Sequence, residues 1–266
     1  MSSSFSLSRL VKLIKKEFFE NARLYLLSIL ALFGLLALIF TFWIGVSDPD
    51  YHEEGTYLIF LMGLYISGSA FASMSFSKLG SKDKGIYWLG IPATHSEKLI
   101  CSIFYSTILF TIVYCLVYYA VKSLAISFLL EYIKKYPGST YTEMTDFEHD
   151  FGGVIRNLVF GYFGVQSIYL LGSVYFSRYS FIVTSVLGAF ILLIFGYYLT
   201  RLNEHILGNN IVWNLITADK SGDVQEGVYR YSVSSGLADF LTYAIRYAWA
   251  PLFWVITWIR LKEKEI

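Results

Sequence analysis

The stretch LYLLSILALFGLLALIFTFWIGV, Leu24 to Val46, decides the fold class: it contains no Asp, Glu, Lys, Arg or His. A bilayer core about 30 Å thick needs roughly 20 apolar residues in helical form, and this run is long enough to cross it. It exceeds the ~7 to 15 apolar residues of a secretory signal, and no small-residue cleavage site follows, because the next residues are Ser47-Asp48-Pro49-Asp50. It therefore reads as a mature membrane helix.

Working outward, Tyr57 to Phe76 and Leu99 to Val121 are equally free of charge and of histidine. Asn157 to Phe176 carries one strongly polar group, Gln166, and Phe181 to Thr200 is uncharged. Leu237 to Ile259 holds Asp239, Arg246 and Pro251 but turns strongly apolar toward its end. These runs predict an all-α, polytopic membrane protein with about six transmembrane helices, 24–46, 57–76, 99–121, 157–176, 181–200 and 237–259. No repeat or Pro/Gly linker separates a second unit, so residues 1–266 read as one transmembrane domain.

Composition agrees. Of 266 residues 56% are hydrophobic and only 15% charged, a balance suited to a chain that needs charge mainly in loops and at helix ends. The net charge of +1 sits beside the spans and forms no basic arm, so nucleic acid is not an expected ligand. Cys101 and Cys115 share one span about 21 Å apart along the helix, too far to pair with each other.

Lys and Arg set the orientation. Arg9, Lys12, Lys15, Lys16 and Arg23 precede the first span, and Asp48, Asp50, Glu53 and Glu54 follow it. Lys78, Lys82, Lys84 and Lys98 then flank the second loop, and Arg260, Lys262 and Lys264 the tail. Six crossings put both termini in the cytoplasm. The third helix is expected to continue past its span until Pro137-Gly138-Ser139.

Three features are candidate sites. In residues 5–22, Leu7, Leu10, Val11, Ile14 and Phe18 share one helical face with Lys12, Lys15 and Lys16 on the others. This is either an amphipathic helix in the headgroup plane or a basic flank obeying the orientation rule. In the second loop, Trp88-Leu89-Gly90-Ile91-Pro92-Ala93-Thr94-His95-Ser96-Glu97-Lys98 offers Thr94 as an N-cap with Glu97 three residues on. It is either a short helix exposing Trp88, Leu89 and Ile91 to a soluble partner or a turn into the third span. At membrane depth, Gln166, Asp239 and Arg246 are functional candidates by default. Asp239 and Arg246 lie about two turns apart on one face, where they either line a path or pair and snorkel.

The order of basic amphipathic helix, two spans, and a loop of the form L-x-x-P-A-T-x-S-E-K running straight into a third span resembles the permease subunits of ABC-2 type exporters. Leu89, Pro92, Ala93, Thr94, Ser96, Glu97 and Lys98 carry the match. The resemblance implies a membrane-surface connecting helix at the N-terminus. It also implies a coupling helix in the second loop that rests on an ABC ATPase subunit, assembly as a homodimer or heterodimer, and location in a cell membrane, the bacterial inner membrane. It implies short re-entrant or surface helices over Leu202 to Gly236, where Ile211 to Ile216 is apolar. The segment Lys122 to Gly153 is longer than that family leads one to expect.

No enzyme site is legible. The chain lacks G-x-x-x-x-G-K-[ST], so ATP hydrolysis is expected on a partner chain. His52, His95, His149 and His205 lie in loops or at helix ends without a second His at ligand spacing, so no metal or cofactor is expected. The reading is an ABC-2 permease that exports an amphipathic or lipid-like substrate. The alternative is a membrane scaffold or accessory subunit.

Overall fold

The computed structural model describes residues 5–136, 138–143, 152–176, 178–202, 211–213, 217–220, 229–232, 236–237, 240, 243–244 and 247–264. Seven helices carry most of it: α1 Leu7–Ser47, α2 Glu54–Met74, α3 Lys82–Leu89, α4 His95–Lys135, α5 Gly152–Tyr175, α6 Ser180–Leu202 and α7 Trp249–Glu263. Among the described residues, five helices are long and apolar enough to cross a membrane. Leu27, Leu38, Phe42 and Leu192 stand largely exposed while Tyr114, Tyr118, Tyr162 and Gln166 are buried. This distribution suits lipid as the surrounding medium.

The helix bounds reflect local chemistry. α1 is a single 41-residue helix, about 60 Å long, in which the expected surface helix and first span are continuous. Phe19-Glu20-Asn21-Ala22-Arg23 contains no Gly or Pro that would end it. α4 is also 41 residues long, so it outruns its apolar core Leu99 to Val121 at both ends. It begins with a capped charged turn, passes through a π-helical stretch over Phe104–Leu109 and stops at Tyr136, before the Pro-Gly pair.

Polar tips hold the core together. α1 packs against α4, and α2 against α4 and α5. Leu36, Phe40, Leu64, Tyr114, Tyr118 and Tyr162 form the central cluster. The Tyr114 and Tyr118 hydroxyls donate to the carbonyls of Phe60 and Thr56 at 2.9 and 2.6 Å. Burial of these rings thus leaves no phenol unpaired.

Short strands depart from a purely helical plan. β1 Asp50–His52 pairs in parallel with β2 Thr140–Thr142, and Lys122 donates to Glu53 at 2.8 Å beside them. Between α6 and α7, β3 Ile211–Trp213, β4 Thr217–Lys220 and β5 Tyr229–Ser232 form an antiparallel sheet. The family resemblance implies short re-entrant or surface helices for this stretch. Its β-branched and aromatic residues, Ile211-Val212-Trp213 and Tyr229-Arg230-Tyr231, favour extended backbone instead. Of the sixth span, α7 is the continuous part; Asp239 and Arg246 lie outside the described residues.

Candidate functional site

At one end of the bundle, α3, the start of α4 and the first turns of α1 come together. Gly90 ends α3, its N–H donating to Ile86 O at 2.9 Å. A turn through Pro92 then leads to a complete capping box, in which Thr94 Oγ1 accepts from Glu97 N and Glu97 Oε2 accepts from Thr94 N at 2.9 Å. The helix start read from Thr94 and Glu97 is therefore present, and the helix it starts is α4.

Glu97 does more than cap. It is fully buried, and its Oε1 accepts from Ser6 N at 2.7 Å and from Arg9 Nη2 at 3.0 Å. Burial pushes its carboxyl up, yet hydrogen bonds from Arg9, Thr94 and Ser6 outweigh that and hold it at about 2, against an ordinary 4.5. Glu97 lies two residues ahead of the apolar run Leu99 to Val121 and outside it. Beside it, Lys98 is buried with its ammonium 5.0 Å above the Trp88 ring.

The exposure expected of Trp88 and Ile91 in this loop is corrected by their surroundings. Trp88 is buried, edge-on to Phe76 at 5.6 Å, in a cluster with Leu99, Leu170, Val174 and Leu261. An indole beside that much carbon gains more from the core than from water. Glu97 and Lys98 face inward, Ile91 and Ala93 are partly buried, Ser96 is half-buried and Pro92 is exposed. The side chain of Leu89 lies outside the described residues. The exposed apolar pair is instead Ile86 (72%) and Tyr87 (59%).

α3 is fastened to α1 by charge. Lys16 Nζ lies 4.7 Å from the Tyr87 ring, and the Tyr87 hydroxyl donates to Glu20 at 3.2 Å. Lys78, just before α3, donates to Glu17 at 2.8 Å. The face expected for the N-terminal helix divides: Leu10 is buried, with Leu13, against Cys101 and Tyr105, and Ile14 packs there partly buried. Leu7, Val11 and Phe18 remain exposed, as do Lys12 and Lys15. Tyr105 donates to Ile14 O at 2.7 Å, which secures the buried side. On the other flank, Lys264 donates to Val174 O at 2.5 Å, so the described ends of the chain share this end of the bundle.

Deeper in the bundle, Gln166 is buried, and neither amide atom has a hydrogen-bond partner among the described residues. A Cβ at Gly68 would collide with its Nε2 and with the Tyr162 hydroxyl; glycine permits this approach of α2 to α5. Thr111 donates to that same hydroxyl at 3.2 Å, two residues past the π-helical stretch in which Ser106 and Thr107 are buried. π-helical turns are frequent at functional positions. The sequence singles out Gln166, and it marks Gly63, Ser67, Gly68, Ser69, Ala70 and Ser73 as small residues that allow close helix contact, but nothing local signals which of them meets Gln166.

Comparison with family models, curated proteins and solved structures gives no match to this chain.

Proposed function

We propose that the chain is the membrane-spanning permease subunit of an ABC-2 type exporter. In this reading it dimerises with a like subunit, has its termini in the cytoplasm, and is driven by a separate ATPase subunit to move an amphipathic or lipid-like substrate outward. The observation that supports it best is α3. This short helix exposes Ile86 and Tyr87 while Trp88 anchors it from behind and Lys16, Glu20 and the Lys78–Glu17 pair hold it to α1. An apolar pair on a firmly held, charge-flanked helix suits docking to a soluble protein. A push on α3 would pass to α4 through the capped turn and to α1 through Arg9 and Glu97, two elements that cross the bilayer in this reading.

The test is purification in mild detergent from the native source. A nucleotide-hydrolysing chain should accompany the protein, and Ile86→Glu should release it while helical content stays unchanged. Recovery without such a chain, or reporter fusions that expose Lys84 to the exterior, would overturn the proposal. The scaffold reading would then take its place, with the β3–β5 sheet as the element held out to another protein.

A further inference from the structure

A groove of about 910 Å³ runs between α1 and α2, from Tyr25 and Met74 at one end to Trp43 and Gly55 at the other. Tyr25 to Val46 is roughly 32 Å of helix, the height of a hydrocarbon core. Trp43 closes one end over Gly55, where a Cβ would collide with the indole, and Leu36 with the Tyr114 hydroxyl closes the floor against Gly63. Leu35, Phe42, Leu58, Met62 and Ile66 stand exposed along its lips, so it opens sideways.

The lining offers an occupant almost nothing but carbon. The Ser28, Ser67 and Tyr105 hydroxyls donate to the carbonyls of Leu24, Gly63 and Ile14. Water has no partners there, and an unfilled slot would forfeit dispersion contacts along both helices. Close helix contact wants small residues at the lips, and the exposed lips here are the long side chains of Leu35, Phe42, Leu58, Met62 and Ile66. A flexible hydrocarbon chain packs between such lips.

Charge at the mouth selects the headgroup. One turn beyond Met74, Lys78 donates to Glu17 at 2.8 Å, with both side chains partly exposed. One positive and one negative charge side by side complement a zwitterion, whereas an anionic headgroup would meet the Glu17 carboxylate. We infer that the α1–α2 groove binds an acyl chain of a zwitterionic phospholipid from the leaflet on the Lys78 side, its phosphate toward Lys78 and its amine toward Glu17. This rests on the membrane reading alone and is independent of the exporter proposal.

The test reconstitutes the full chain in vesicles of phosphatidylcholine carrying a photoactivatable diazirine on the acyl chain and maps adducts by peptide mass. Labelling of Met62 and Ile66 should exceed that of Leu192 and Leu193, on the exposed side of α6, by about ten-fold. Ala70→Phe, which fills the groove, and the milder Ser67→Leu should each erase the excess and leave α6 labelling intact. Phosphatidylglycerol with the same chains should label the groove less. Equal labelling of both faces, or an excess untouched by both variants, would mean annular lipid only and would overturn the site. Cross-linking of Met62→Cys between two copies with loss of lipid adducts would assign the groove to a second chain. Equal groove labelling by phosphatidylglycerol would remove the headgroup assignment.

Discussion

Arg9 Nη2 stands 3.0 Å from Glu97 Oε1, joining positions 88 apart in sequence, with Glu97 fully buried and Arg9 about one-third exposed. This contact ties the first turn of α1 to the first turn of α4. It turns a local capping residue into a link between two long helices.

The asymmetry of burial predicts an asymmetry of damage. Arg9→Ala leaves a carboxylate buried with only the Ser6 and Thr94 amides, and should cost on the order of 3 kcal/mol. Glu97→Gln keeps a hydrogen-bonding side chain beside Arg9, which is about one-third exposed and can be solvated, so the expected cost is about 1 kcal/mol. Unfolding of both variants in mixed micelles by denaturing detergent checks the order.

The same link should depend on acid in one direction. The folded carboxyl lies near 2 and the ordinary value is 4.5. Its contribution is therefore fully present above about 4.5 and is lost as pH falls toward 2. The stability gap between the native chain and Glu97→Gln should hold constant from pH 7 to 5 and narrow below that, as read from thermal unfolding across the series.

Trp88 and Ile86, two residues apart, should behave in opposite ways. Trp88→Ala empties a site packed against Phe76 and Leu261 and should destabilise by about 3–5 kcal/mol. Ile86→Ala removes an exposed side chain and should stay within roughly 0.5 kcal/mol. Equal costs in an unfolding titration would refute the orientation of α3.

Gly68 and Gln166 should be coupled. Gly68→Ala drives a methyl into the Gln166 amide and the Tyr162 hydroxyl and should cost about 1–3 kcal/mol. Gln166→Leu replaces amide atoms that have no hydrogen-bond partner among the described residues and should be neutral or stabilising. Combining Gly68→Ala with Gln166→Ala should recover most of the loss in a double-mutant cycle.

Much of the helical plan was legible because its signals are local. Runs without charge mark five helices of span length, and the Thr94 and Glu97 pair marks the start of α4. Pro137-Gly138 marks where that helix stops. Other readings failed where neighbours far along the chain decide. Trp88 looks like an exposed anchor from its loop, but Phe76, Leu170, Val174 and Leu261 surround it. Between α6 and α7 the family resemblance implies helices, but the extended-chain preference of Ile211 to Trp213 and Tyr229 to Ser232 gives strands.

By itself, the sequence determined that this chain is built of long apolar helices, and where most of them begin and end, since hydropathy and capping act within a few residues. Only the tertiary structure decided that Glu97 belongs to Arg9, that Gly68 admits Gln166 and that α1 and α2 leave a groove between them. Those outcomes depend on which helix faces meet, and packing between distant segments sets that choice.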